Sequence, residues 1–246
     1  MAFHGGKGGV GATFLTAESV ALLQTGGRRI AAVDIDFHRG ALHYRLDVPL
    51  SRDTFTTADL LPVLDDLSDH VLENALSDCP CGARMLPAPA SPFTASVEPE
   101  LVQGLVTALR ARFDYVVFDT APTLDELTLG VLAAVDLVAL VVTPEIACLG
   151  TAARALDSLG ARGIAASRIM LLVNRSLGDL DVVTLADVES FVGLPVEIIL
   201  PEETARCRRA ADEGRFVTPE RSPLGQALRA MVHRLLAGAR TPMPRP

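Results

Sequence analysis

The stretch His4-Gly5-Gly6-Lys7-Gly8-Gly9-Val10-Gly11-Ala12-Thr13 is the most glycine-dense part of the chain, and a helical pattern follows it from Thr13 to Gln24. Glycine lacks Cβ, so a backbone rich in it curls tightly enough for successive N–H groups to converge on an anion where a helix begins. The same stretch holds Lys7, the only lysine among 22 basic residues. Two patterns compete for it. In G-x-x-x-x-G-K-[ST], which cradles phosphates, Gly6, Gly11 and Thr13 fit, but Ala12 stands where the lysine belongs. In G-x-G-x-x-G, which binds dinucleotides, Gly6, Gly8 and Gly11 fit, with Asp34 or Asp36 as the ribose-binding acid. On the loop alone the two readings are even.

Outward from the loop, short apolar runs rich in β-branched residues alternate with helical patterns. Segments 30–34, 115–119, 137–142, 169–173 and 196–200 read as strands. Most are apolar on both faces, as in a parallel sheet covered on each side. Helices are expected over 13–24, 98–112, 124–134, 149–159, 185–192 and 223–236. The alternation predicts a doubly wound α/β fold, a mostly parallel sheet with helices on both faces and ligands at the carboxyl ends of its strands. Two short helices are expected between Phe55 and Asp78, a strand at 84–87, and a Pro/Ala/Ser loop to Pro92. Residues 1–240 read as one nucleotide-binding domain and 241–246 as a disordered tail. Only Met1 to His4 precede the glycines, so the first strand is expected to be very short or truncated, the second being favoured.

Composition narrows the class. Hydrophobic residues make up 49% of the chain and charged residues 21%, enough for a sizeable core. The net charge of −8 argues against bulk attraction to nucleic acid or anionic lipid. Four cysteines, with two in Cys79-Pro80-Cys81, make neither a disulfide scaffold nor a paired zinc pattern. With no apolar run of membrane-spanning length and no signal peptide, a cytoplasmic protein is expected.

The acids separate the two loop readings. Thr13 supplies a hydroxyl where a phosphate loop coordinates magnesium. Asp119 ends the strand in Phe118-Asp-Thr-Ala-Pro122, placed to hold the same ion. Asp34-Ile-Asp36 sets two more acids at another strand end, where a carboxylate would orient an attacking water. Three acids around phosphates repel one another unless a metal intervenes, so Mg-nucleotide is favoured over a nicotinamide cofactor.

Gly6-Lys-Gly-Gly-Val-Gly-Ala-Thr13 resembles the deviant Walker A box of the ParA/MinD ATPases, with Lys7 at the place of that family's signature lysine. Val33-Asp-Ile-Asp-Phe-His-Arg-Gly40 resembles its D-x-D-x-x-x-G segment. The run from Phe113 to Thr128 is similar to the CpaE/TadZ branch, proteins of Flp (Tad) pilus assembly. Leu171-Leu-Val-Asn-Arg175 and Leu200-Pro-Glu202 resemble the family's base-reading segments. The resemblance implies ATP and Mg2+ as ligands. The nucleotide contacts would be Gly6, Lys7, Gly8, Gly9, Val10, Gly11, Ala12, Thr13, Phe14, Asn174, Arg175, Pro201 and Glu202. Thr13, Asp34 and Asp119 would hold the metal, Asp36 would orient water, and Lys7 would reach a partner's nucleotide across a homodimer. It further implies positioning of a pilus secretion apparatus, with a secretion ATPase or inner-membrane platform as partner. Localisation would be cytoplasmic, polar or peripheral to the inner membrane. Septum-site and segregation regulators with true ATPase activity are the alternative within the same superfamily.

Ala12 departs from the pattern. The family's lysine there contacts the β- and γ-phosphates, and a charge-assisted hydrogen bond contributes roughly 1.5–3 kcal/mol. Weak or no hydrolysis is therefore expected.

Elsewhere the plainer readings prevail. Arg206-Cys-Arg-Arg209 is expected to be a solvated helix face with i,i+4 pairing to Asp212 and Glu213. His4, His38, His43, His70 and His233 lack ligand spacing, and Cys148 and Cys207 have no evident base nearby. Leu224, Leu228, Met231, Val232, Leu235 and Leu236 have the spacing of a helix packed on a sheet rather than of a membrane-targeting helix.

Overall fold

The computed structural model describes residues 1–60, 69–89 and 99–239. Its elements run β1 (Ala2–Gly5), α1 (Ala12–Gln24), β2 (Ile30–Asp34), α2 (Leu42–Arg45), α3 (Thr57–Leu60), α4 (Asp69–Ala75), β3 (Ser77–Asp78) and β4 (Arg84–Leu86). There follow α5 (Pro99–Arg110), β5 (Tyr115–Asp119), α6 (Glu126–Ala134), β6 (Val138–Val142), α7 (Ile146–Ala161) and β7 (Ile169–Ser176). The chain then forms α8 (Leu185–Val192), β8 (Val196–Pro201), α9 (Thr204–Asp212) and α10 (Pro223–Ala239). The tail 241–246 and most of the Pro/Ala/Ser loop lie outside the described residues.

One sheet orders the strands β3-β4-β2-β5-β1-β6-β7-β8. Every pairing is parallel except β3 with β4. The doubly wound α/β expectation therefore holds, with one short antiparallel edge strand added. β1 spans four residues, all buried, and lies between β5 and β6.

Alternation along each strand divides the core in two. Ile30 and Ala32 of β2 join Leu15, Val20 and Leu23 of α1 and Leu228, Met231 and Leu235 of α10 on one face. Ala31 and Val33 join Leu105 and Leu109 of α5 and Val131 and Leu132 of α6 on the other. The carboxy-terminal stripe is thus core: Leu228, Met231 and Leu235 are fully buried. No helix among the described residues is long and apolar enough to cross a membrane.

Parallel pairing brings the carboxyl ends of β1, β2, β5, β6, β7 and β8 to one rim. The first helix starts there, as does every candidate acid.

Candidate nucleotide site

The loop between β1 and α1 is held at both ends. The Gly6 N–H donates to Val141 O of β6 (2.8 Å). A Cβ on Gly6 would come within 3.0 Å of Ala152 Cβ, so the loop leaves the sheet closely packed against α7. Gly11 precedes α1 with φ +100°, and a Cβ on it would lie 2.5 Å from Asn174 Nδ2. Only glycine meets both demands. No side chain caps α1 at Gly11, so its first N–H groups face the loop's concavity with the helix dipole behind them. Val10 is buried, whereas Lys7, Gly8 and Gly9 are exposed.

Asp34 and Asp119 end β2 and β5 and are register partners across the parallel pair. Both are buried. Asp34 Oδ1 accepts the Asp36 N–H (3.0 Å) and its Oδ2 the Leu42 N–H (3.1 Å). Asp119 Oδ1 accepts from Thr16 Oγ1 (3.2 Å), and the nearby Thr13 side chain also favours the charged form of that carboxylate. Burial pushes the Asp34 carboxyl up, with the Asp36 charge adding to it. Asp119 is driven up by burial first and by the Asp34 charge second. The pair is a reservoir of negative charge short of cations, which suits a divalent ion. Gly40 belongs to the same corner. A Cβ there would lie 2.3 Å from Ala88 Cβ and 3.0 Å from Asp34 Oδ2, so the chain can fold over Asp34 only at a glycine.

Asp36 is half-buried, and its Oδ1 accepts the N–H groups of His38 (3.1 Å) and Arg39 (2.9 Å). Lys7 Nζ lies 2.9 Å from Glu145 Oε2, at the start of α7. Both partners are well exposed, so the pair sets position more than stability.

Farther along the rim, a cleft of about 260 Å³ is lined by Gly11, Phe14, Asn174, Arg175 and Pro201, five of the expected nucleotide contacts. Asn174 Nδ2 donates to Val10 O (2.7 Å), bracing β7 against the loop. Arg175 has a left-handed backbone at φ +58°. Glu202 does not line the cleft. Its N–H donates to Ser176 O (2.9 Å), and its Oε1 accepts the Thr204 N–H (2.7 Å) at the start of α9. A larger depression of about 800 Å³ lies beside Arg29, Ile30 and Phe113, at the amino ends of β2 and β5 and so on the wrong rim for a doubly wound site.

Three features had no local signal. Glu18 of α1 is fully buried. It accepts the N–H groups of Val217 (3.0 Å) and Thr218 (2.8 Å) and pairs with Arg45 (3.3 Å). Arg206 pairs with Glu203 and Glu220, and among the described residues no ion pair links the cluster to Asp212 or Glu213. His4 is buried within β1, and its Nδ1 meets Thr120 Oγ1 at 2.9 Å. Since the Thr120 hydroxyl donates to Phe3 O (3.0 Å), it accepts from His4, which fixes the proton on Nδ1.

Burial lowers the His4 pKa to about 4. The unfolded chain therefore takes up a proton as pH falls through about 6.5, while the folded chain does so only near 4. Between pH 7 and 4 the wild type should lose about 3 kcal/mol relative to His4→Asn, which keeps an amide donor toward Thr120. Urea unfolding of both proteins across that range measures it; parallel curves would remove the assignment.

A glycine loop joining the first strand to the first helix, with carboxylates at neighbouring strand ends, is the architecture of a P-loop nucleoside triphosphatase. Residues 1–159 match the AAA domain family (AAA_31). The chain belongs to that family and lies within the ParA/MinD superfamily. It is 28% identical over 207 residues to the septum site-determining protein MinD of Synechocystis, covering 80% of this chain and 74% of that protein. The crystal structure of a ParA family ATPase from Chlorobium tepidum superposes with a TM-score of 0.82 at 24% identity, covering 94% of this chain and 98% of that one. MinD from Pyrococcus horikoshii complexed with Mg-ADP superposes with a TM-score of 0.77 at 23% identity, covering 98% of each chain.

Proposed function

We propose that this protein binds Mg-ATP at the β1–α1 loop, dimerises across that site and hydrolyses ATP slowly, acting as a nucleotide-gated positioning factor. The observation that carries the reading is the buried Asp34–Asp119 pair beside Thr13, at the open end of a glycine loop. Thr13, Asp119 and Asp34 would hold magnesium, which keeps several waters and uses few protein ligands. When bound, the ion neutralises phosphate charge. The loop N–H groups would seat the phosphates, and Phe14, Asn174, Arg175 and Pro201 would flank the base. Asp36 would orient water. Ala12 leaves the loop without a lysine of its own, which supports slow turnover and a switch-like role.

The likeness of residues 113–128 to CpaE/TadZ proteins supports a pilus-positioning role. The relatives named septum site-determining proteins support division-site placement as a second reading. Deleting the gene separates them: loss of pili with normal septa favours the first, and misplaced septa with normal pili the second.

The biochemical reading is tested by calorimetric titration with Mg-ATP, ADP and NADH alongside light scattering. Expected are magnesium-dependent ATP binding, a dimer mass with ATP and no response to NADH. NADH binding without magnesium would overturn it. Lys7 would leave Glu145 to reach the partner's nucleotide, so Lys7→Ala mixed with wild type should lower the ATP-dependent dimer fraction. An unchanged fraction removes Lys7 from the interface.

A further inference from the structure

The turn between β3 and β4 carries Cys79-Pro80-Cys81-Gly82, which the nucleotide reading leaves unused. The Gly82 N–H donates to Cys79 O (2.8 Å) and the Cys79 N–H to Ala83 O (2.9 Å), closing a β-turn with Pro80 at its second position. So tight a reversal keeps the first and third residues near the roughly 4.4–6.8 Å Cα separation that a disulfide requires.

The turn sets the two thiols close enough to perturb each other's titration. Their settings differ. Cys79 is buried at 5% exposure, whereas Cys81 is half-buried and lines an apolar cavity of about 680 Å³ together with Leu22, Phe216 and Pro219. Arg221 stands at the same cavity, exposed and without an ion pair to any described residue. The neighbouring Cys79 thiol, helped by the backbone N–H groups of Ala83 and Cys81, lowers the Cys81 thiol to about 6. Its interaction with Cys81, together with burial, pushes Cys79 up. Burial raises Cys148, and Cys207 to about 11, which leaves those two inert by comparison.

We propose that Cys79 and Cys81 are a redox-active dithiol, oxidised to an intrachain disulfide by anionic low-molecular-mass disulfides of the glutathione class. The more accessible Cys81 thiolate attacks one sulfur of the incoming disulfide RSSR, whose S–S bond breaks and releases RS⁻. Cys79 gives its proton to solvent and attacks the Cys81 sulfur, expelling the second RS⁻. Two protein thiols are oxidised and one RSSR is reduced to two RSH. Arg221 offers the carboxylates of such a disulfide an unpaired cation beside the acceptor. The nucleophile is the more accessible sulfur and the resolving thiol lies two residues away in the same turn, so resolution is intramolecular and the mixed disulfide short-lived.

The test is thiol alkylation and mass spectrometry of the full chain equilibrated in glutathione redox buffers. Expected in wild type is the joint loss of two alkylatable thiols, mapped to a Cys79–Cys81 cross-link and reversed by excess reduced glutathione. Cys79→Ser should stop at a stable glutathione adduct on Cys81, and Cys81→Ser should keep all its thiols. Iodoacetamide labelling of Cys81 should be half-maximal near pH 6 in wild type and move toward the ordinary thiol range in Cys79→Ser. Four free thiols in oxidising buffer, a persistent adduct on wild-type Cys81, or reaction first at Cys148 or Cys207 would each overturn the proposal. The measurement needs no nucleotide, so its outcome is independent of the Mg-ATP reading.

Discussion

Ala12→Lys is expected to tighten Mg-ATP binding and speed phosphate release by about ten- to hundredfold, the worth of one charge-assisted hydrogen bond to phosphate. Residue 12 is the first of α1, half-buried, directly after the Gly11 turn. A lysine there would complete G-x-x-x-x-G-K-[ST] and place an ammonium among the loop's N–H groups. The sign reverses without ligand. A cation at a helix N-terminus opposes the dipole by about 0.3–1 kcal/mol, so the empty variant should be slightly less stable. Calorimetry, a phosphate-release assay and thermal unfolding read the three effects together. Unchanged nucleotide affinity would mean that phosphates do not sit on this loop.

Asp119→Asn should separate charge from shape at the other half of the site. The folded-state pKa of Asp119 lies above its unfolded value, because burial and the Asp34 charge favour the protonated form. This contribution to stability is therefore present at low pH and lost as pH rises from the ordinary carboxylate range. At pH 8 the ligand-free variant should unfold at higher temperature than wild type, by about 2–4 °C for each kcal/mol of repulsion removed. The difference should shrink toward pH 5. The Thr13 and Thr16 hydroxyls can turn to suit an amide, so packing is preserved. With Mg-ATP the order inverts. At a hundredfold excess over Kd the wild type gains about 2.7 kcal/mol from ligand, and the variant should gain little of it. Equal ligand-free stability at pH 8 together with an undiminished Mg-ATP shift would exclude a metal role for Asp119. Comparing the two proteins at each pH cancels the opposing acid effect of His4.

Much of the architecture was legible because its signals are local. Strands 30–34 and 115–119 and helix 185–192 begin and end where the apolar runs and helical patterns place them. The acids were placed at strand ends correctly, but their adjacency depends on the register between β2 and β5, which no local pattern encodes. Ser77–Asp78 is too short to show a period of two, so the antiparallel edge was hidden. Nothing local marks Glu18 as buried, and the backbone N–H groups that satisfy it lie about 200 positions away at Val217 and Thr218. Asn174 was singled out for a base, and the bond from its Nδ2 to Val10 O, 164 positions earlier, is a further contact that no local pattern encodes. Polar contacts of this range emerge only once the chain is folded.

The Glu18 arrangement has a mechanical corollary. Its carboxylate is knotted to the 217–218 backbone and to Arg45, so α1 cannot slide along its axis without stranding an ionised group in the interior. The helix behind the phosphate loop is therefore a fixed pier rather than a piston. Rearrangement that accompanies a change of ligand is left to the span ahead of it, around Gly8 and Gly9. A Cβ on Gly9 would find nothing within 4 Å, and one on Gly8 only Pro122 at 3.9 Å, so the backbone there has room to swing.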